Sequence, residues 1–548
     1  MQTSESYSNE RLDHLGLVAG VCQEIGLAAY LDRLAGETKQ HVSVGTATVA
    51  MILNGLGFSN RRLYLVPQFF ANKPIEHLLG PGIQADDLND DCLGRTLDWL
   101  YAHDPTQLFA GIATQARQIF GISARHVHVD TTSFSVSGAY AGCEQQESEA
   151  TAIAITYGYS RDHRADLKQW MLSLATTHEG DVPLFLRALN GNSSDKVTLV
   201  AAVEAVQQQL QASDSEPGIF VADSGAYSET NMRRFNEAGI LWVSRVPETS
   251  KEAKAVLEAE PAQWQNSADG QTHWFSQTMS LPQGQERWVV VRTKMGETRA
   301  QATLKRQVDK AEHTWRQKLW HLSNQRFACE ADAQSELTRA LKGLPPWLRV
   351  QSELVSYGRH TGKGRPPKGA SPVSTQWQVK ATVTVDQEQM EHEARRKACF
   401  IVGTNALDSA VLSEPELVAT YKEQGGVERG FRFLKDPLFL ASSVFVKKPE
   451  RIVALGLIMV LCLLVYRLAE HRLRTRLAET KQTIPDQLNK PTARPTMRWV
   501  FQCFEGVELL HIRSAVGSQS LVLRLQPMHR LVLALLGPPY EKIYKASG

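Results

Sequence analysis

Seven cysteines in 548 residues, odd in number and widely spaced, offer no disulfide framework. There is no Cys-x-x-Cys pair and no His/Cys cluster of the kind that holds zinc, so a reducing, cytosolic compartment is expected. No P-loop or dinucleotide fingerprint occurs, which argues against a nucleotide cofactor and against coupling to ATP. The opening residues, MQTSESYSNERLD, are polar and lack the apolar core of a signal peptide. Charge of one sign is also missing: the net charge is +2, and bulk charge names no partner. The longest apolar run, IVALGLIMVLCLLVY from Ile452 to Tyr466, has 15 residues, short of the ~20 that a membrane span needs. Arg451 and Arg467 flank it closely, so it reads as a core helix buried on all sides, with no membrane partner. No internal repeat stands out.

What is present is enough chain for two to four domains with large cores. Residues 1–120 read as a helical N-terminal domain. Leu12, Leu15, Val18, Cys22 and Ile25 fall at helical spacing, Ser43 is placed to cap a helix ending before Gly57, and Asp90 or Asp91 to cap another. Short helices joined by turns suit a DNA-binding module. The texture changes at His126. In HVHVDTTSFSV, Val127 and Val129 alternate with His128 and Asp130, as in a strand with two different faces. TAIAITYGYS and WMLSLATT read as a hairpin, and PLFLRAL as a further strand. A helix through LVAAVEAVQQQL, the buried strand GIFVA before Asp223, a helix and the strand LWVSRV follow. Antiparallel strands followed by helix, strand, helix and strand match a ribonuclease-H-like mixed sheet, an α/β fold.

The resulting division is a first part of the core at 121–246, an inserted α+β subdomain at 247–408, the rest of the core at 409–470, and a mainly helical region at 471–548 that is a candidate for dimerisation or DNA contact. Lys and Arg outnumber Asp and Glu about two to one after Lys435.

Three carboxylates attract attention. Asp130 and Asp223 each stand at or just past the end of an apolar strand stretch. Glu428 lies in YKEQGGVERGFRFLK, where Tyr421, Gln424, Glu428 and Lys435 fall at offsets 0, 3, 7 and 14. On one continuous helix these four would share a quarter-turn of the surface. Gly425 and Gly426 weaken such a helix by about 1 kcal/mol each relative to Ala. Taken singly, each Asp is an ordinary turn residue. Taken together, convergent carboxylates suit hard divalent cations, which take oxygen ligands. Two such ions about 3.5–4 Å apart serve in-line phosphoryl displacement.

The order Asp, Asp, Glu, with Glu428 inside Tyr-x₂-Gln-x₃-Glu-x₆-Lys, resembles the DDE transposases of bacterial insertion sequences. The nearest pattern is that of the insertion-sequence-four superfamily, Tyr-x₂-Arg-x₃-Glu-x₆-Lys. HVDTTSFSVSG, YGYSRDHRADLKQ, GNSSD, VADSGAYS and GKGRPPKG resemble its insertion-sequence-1634-like branch. The resemblance implies a ribonuclease-H-like core with a β-rich insertion between the second Asp and the Glu, which here stand 205 residues apart.

It further implies catalytic and metal-binding roles for Asp130, Asp223 and Glu428, with two Mg²⁺ ions per active site that Mn²⁺ can replace. Phosphate contacts by Tyr421 and Lys435 follow from it, and Gln424 departs from the pattern, since a neutral amide lacks the charge and fork of Arg. Implied partners are double-stranded DNA (terminal inverted repeats and target) and a second copy of the chain, in the bacterial nucleoid. Arg161, Arg164 and Lys168 are candidate DNA-backbone contacts, and Arg365 a candidate minor-groove contact. Trp274, Trp288, Trp315, Trp320 and Trp377 are candidates for stacking a flipped base. The rival readings are a nuclease or resolvase without strand transfer and a non-catalytic DNA-binding derivative.

Overall fold

The computed structural model describes residues 6–37, 40–58, 63–137, 140, 153–160, 162, 164–213, 218–259, 263–360, 371–423, 425–436, 448–514 and 517–545. Packing divides the chain into two units. The larger comprises Met1–Ser244, Ser280–Glu286 and Thr404–Gly548, and the smaller Arg245–Met279 and Arg287–Gly403.

The larger unit is built on the helix Pro449–Glu479, 31 residues long. By length and composition it could cross a membrane, but its most apolar window is wholly buried inside the protein. An apolar surface on every side must be covered on every side. The N-terminal helices Leu15–Glu24, Val44–Leu56, Asp90–Ala102 and Pro105–Phe120 share one core with it. The C-terminal helices Met497–Cys503 and Pro527–Leu536 and one face of a sheet complete that core. Each fully buried Leu, Ile or Val contributes about 1.5–3 kcal/mol relative to exposure. The helix runs unbroken across residue 470, where the sequence reading had placed a boundary. Gly456 is required by close approach: a Cβ there would stand 2.9 Å from the Trp170 ring.

The local signals were mostly legible. Ser43 caps Val44–Leu56 by accepting the Thr46 N–H at 3.1 Å, and Gly57 closes it. The cap of Asp90–Ala102 is Asn89 rather than either aspartate, its Oδ1 accepting the Cys92 N–H at 3.0 Å. Gly26, at φ 61°, breaks the first helical stretch in two. Strands interrupt the regions read as helical at both ends. Ser6–Arg11 pairs antiparallel with Glu508–Ser514, which pairs with Gly517–Leu523. SYSNER carries no apolar alternation to mark it, because an edge strand is held by its backbone.

The sheet strands of this unit lie in the order Pro183–Leu189, Lys168–Thr177, His126–Val136, Ile219–Ala222, Leu241–Val246. Lys168–Thr177 is antiparallel to both neighbours, and the last three strands are parallel. This is a mixed α/β sheet. Val127 and Val129 face a core made with Leu199, Val203 and Val206 of the helix Asp195–Ala212 and with Met232 and Phe235. Phe134, Val136, Trp170, Leu172 and Leu174 face the long apolar helix.

The expected strand at TAIAITYGYS is reduced, among the described residues, to one bridge between Thr156 and Gln169. There the buried Gln169 side chain donates to the Tyr159 and Gly191 carbonyls, at 3.2 and 2.7 Å, in place of a ladder.

In the smaller unit the helix Lys294–Ser323 packs on a long antiparallel hairpin, Leu348–Arg359 with Ser374–Val385. Trp315, Leu319, Leu348 and Val383 form one small core, and Leu322, Ala333, Leu337 and Val379 another.

His14 joins the two ends of the larger unit. It is buried, bonds the Leu56 carbonyl oxygen at 2.8 Å and stacks on Phe501 at 4.5 Å. Burial pushes its pKa down from 6.5 to about 4. A depressed folded-state pKa means the neutral form stabilises the fold above the unfolded value, and that this contribution fades as pH falls. His14→Phe keeps the stacking and removes the titration. The stability difference between the parent and His14→Phe should shift against the parent by up to about 1.4 kcal/mol per pH unit between pH 6.5 and about 4. Urea unfolding across that window measures it.

Candidate active site

Alternation along the central strand puts His126, His128, Asp130, Thr132 and Phe134 on one face. The parallel ladder pairs His126 with Ile219, Val127 with Phe220 and His128 with Val221. Two more positions along it, Asp130 stands opposite Asp223, one residue past its strand, on neighbouring strands about 4.8 Å apart. Phe220 and Ala222 belong to the opposite core, so Ile219, Val221 and Asp223 share the Asp130 face.

Each aspartate accepts a nearby backbone N–H, Asp130 from within its strand and Asp223 at the turn that follows its strand. Asp130 Oδ1 accepts the Thr131 N–H at 2.7 Å, and Asp223 Oδ1 the Gly225 N–H at 2.9 Å. The Asp223 carbonyl accepts the Ser244 hydroxyl at 2.9 Å. A few residues on, the Tyr227 hydroxyl donates to the buried Glu286 at 2.6 Å.

The signature does not form one helix. The helix Glu414–Lys422 ends at Glu423, and a second helix, Gly425–Leu434, begins after residue 424. Tyr421, half-buried, and Glu428 therefore do not share a continuous helical face. The break sits at the two glycines, where helix propensity is lowest. Gln424, Arg161 and Arg365 lie outside the described residues.

The second helix buries Val427, Phe431 and Leu434 in the core that covers the Asp130 face. Gly430 comes closest: a Cβ there would be 3.6 Å from Leu174, the cross-strand partner of Asp130. Lys435, one residue beyond the helix, places Nζ 5.7 Å from the centre of the Phe134 ring. Glu428 is exposed and stands seven residues, almost two whole turns, before Lys435. Lys435 thus reaches the Asp130 strand at Phe134, while Glu428 is solvent-facing on the helix itself. Arg429 places its NH2 nitrogen 2.8 Å from Asp181.

The three carboxylates thus belong to neighbouring elements of one face. Among the described residues, no three His, Cys, Asp or Glu groups are drawn close enough to hold a metal ion as they stand. The donor chemistry, carboxylate oxygen throughout, suits a hard divalent cation.

Several supporting residues were not visible in the sequence. Asp181 lies in a hairpin turn at φ 54° and contacts Gly426 at the start of the Glu428 helix. An anion at a helix N-terminus is favourable. His128 Nε2 lies 3.4 Å from His178 Nδ1, and His178 Nε2 lies 3.0 Å from Glu423, at the helix break. Burial pushes His126 down to about 4 and His128 down to about 3, so both are neutral imidazoles packed in the sheet. Of the basic candidates, Arg164 is engaged by Asp166 through two contacts of 2.8 Å, and Lys168 Nζ is 3.5 Å from the Tyr140 carbonyl. Trp274, Trp288 and Trp315 are buried and Trp377 half-buried, whereas Trp320 is 62% exposed.

The sequence model of a family described as "Transposase DDE domain" matches residues 122–465, the span that holds all three carboxylates. The chain belongs to the DDE transposases. As such it is a DNA-acting enzyme of the nucleotidyl-transferase and endonuclease kind, from a family that generally uses divalent metal ions. In this transposase, residues 7–114 match a separate family described as a domain of unknown function, DUF4277. No curated protein matches it. Among solved structures it is similar to one described as the cryo-EM structure of the piggyBac transposase synaptic complex with hairpin DNA. That similarity covers 96% of this chain and 78% of the other, at 9% identity and a TM-score of 0.36, too low to support an argument.

The two glycines of the signature have different surroundings. A Cβ on Gly426 would fall 2.2 Å from an Asp181 carboxylate oxygen, whereas one on Gly425 would meet only the Arg429 guanidinium, at an ordinary contact distance of 3.5 Å. Gly426→Ala should destabilise the transposase by about 1–3 kcal/mol and lower cleavage by shifting Glu428. Gly425→Ala should be neutral or stabilising by up to about 1 kcal/mol. Thermal unfolding and cleavage assays on the two variants check this contrast.

Proposed function

We propose that this chain is the transposase of a bacterial insertion sequence of the insertion-sequence-four superfamily, close to its 1634-like branch. It cleaves DNA at the ends of its own element and joins the freed 3′ ends to target DNA. The observation that carries this reading is the placement of Asp130 and Asp223 at matching positions of adjacent parallel strands, with the Glu428 helix packed over the same face. The strand order, with only the second strand antiparallel, supports a ribonuclease-H-like core.

Asp130, Asp223 and Glu428 would hold two divalent ions, Mg²⁺ by preference for oxygen donors. When bound, the ions supply Lewis-acid stabilisation to attacking and leaving oxygens. The chain's own residues orient the DNA. Lys435, with Tyr421 and Gln424, lies along the phosphate backbone. Arg164 and Lys168 add contacts beside the sheet, as do Arg161 and Arg365. These contacts fix register without reading sequence. Residues 1–120 recognise the element ends, and Trp320 is the exposed aromatic available for base stacking. Two DNA ends must be held at once, so the active assembly is a homodimer in the bacterial nucleoid.

Asp130→Ala, Asp223→Ala and Glu428→Gln should each abolish Mg²⁺-dependent cleavage and joining while end binding is largely retained. Groups acting as a unit are non-additive, so the double variants should be little worse than the single ones. The test pairs a cleavage assay on duplex carrying the inverted repeats that flank the gene with a joining assay on pre-cleaved ends. Near-parental cleavage by Glu428→Gln would remove it from the site. Cleavage without joining in the parent would make the protein a nuclease.

A further inference from the structure

Two sequence stretches that carried separate weight, YGYSRDHRADLKQ and the Glu428 signature, meet at one ion pair. Lys435 Nζ lies 2.8 and 3.0 Å from the two carboxylate oxygens of Asp162, which is 273 residues away in the chain. Its ammonium also rests against the Phe134 ring, on the Asp130 face. The two side chains are 26% and 40% exposed, so an arriving ligand can reach both. Lys435 stands one residue past the helix that carries Glu428, beside which a scissile strand would lie. To an ammonium, a carboxylate and a phosphodiester present the same thing: anionic oxygens at hydrogen-bonding distance.

We propose that Asp162 is an internal substitute for a DNA phosphate. It holds Lys435 when DNA is absent and is displaced when a backbone phosphate takes the same ammonium. The inference rests on the reading that the Glu428 helix lies along DNA. Breaking the pair opposes binding, so Asp162 lowers affinity for any duplex. Because the ligand is a phosphate, the penalty is independent of base sequence. In return, the long Lys435 side chain is kept ordered over Phe134 instead of sampling its rotamers.

The experiment is a fluorescence-anisotropy titration of the full chain against a labelled duplex of arbitrary sequence at fixed salt. An exposed pair of ordinary strength, once removed as a competitor, should let Asp162→Asn bind about two- to sixfold more tightly. Asp162→Glu, which keeps the carboxylate, should stay near the parent. Lys435→Gln should weaken binding, and adding Asp162→Asn to it should bring no further gain. An equal gain in both backgrounds would reveal a diffuse charge effect and overturn the proposal. So would weaker binding by Asp162→Asn, which would make the carboxylate an orienting partner and not a competitor. If Lys435→Gln leaves binding unchanged, the phosphate role of Lys435 fails first and that of Asp162 with it. Unchanged thermal unfolding of each variant separates these outcomes from misfolding.

Discussion

The larger unit depends on one constraint: the apolar stretch of the helix Pro449–Glu479 cannot leave any of its sides in water. Covering it recruits elements from both ends of the chain and one face of the sheet. That same sheet face carries Asp130. The helix therefore acts as the reference against which the site is placed. Leu463 lies beneath Gly430 of the Glu428 helix, and Gly456 admits the Trp170 ring, which stacks on Phe134 two turns of pleat from Asp130.

On this foundation the Glu428 helix is held by small, specific devices. Its buried stripe supplies adhesion and position, and charge adds to them. Asp181 meets Arg429 and approaches Arg467 of the long helix at 3.7 Å. Asp181 is partly buried and Arg429 half exposed, so the pair contributes modestly. The buried stripe of Val427, Phe431 and Leu434 sets which side of the helix faces the core and leaves Glu428 exposed. The neutral histidines on the Asp130 face fill space that charged residues could not occupy without paired counterions.

Much of this was legible in the residues, and the remainder has a physical reason for being hidden. The parity of Val127 and Val129 against His128 and Asp130 announced a two-faced strand, and the run after Arg451 announced a core helix. Asp223 could be singled out because a carboxylate at the end of an apolar strand is conspicuous; Asp130, expected at a strand end too, lies inside its strand, which continues through Thr131–Val136. Glu428 needed the resemblance to a known signature, since a single Glu on a charged helix carries no mark of its own. The end of the first helix at Glu423 was half visible in the two glycines that follow, but propensity alone does not say whether a helix bends or stops. Asp181 and Asp162 were invisible because their partners lie 248 and 273 residues away. Tertiary contacts of that separation leave no local pattern. The strand at Ser6–Arg11 escaped for a similar reason: it is defined by a partner near residue 510.

That last pairing bears on how the chain comes to be folded. Asn9 bonds Glu508, and Tyr544 bonds the Asp13 carbonyl oxygen, across 499 and 531 residues. Residues 6–14 thus wait for partners made about 500 residues later before their sheet and the His14 stack can form. Contacts of such separation are slow to close and leave apolar surface uncovered in the meantime. The N-terminal helices emerge early but are completed late, so a nascent chain has a partly built first domain throughout synthesis. Full assembly of that domain therefore reports that the intervening stretch, Asp130, Asp223 and Glu428 included, has already been made.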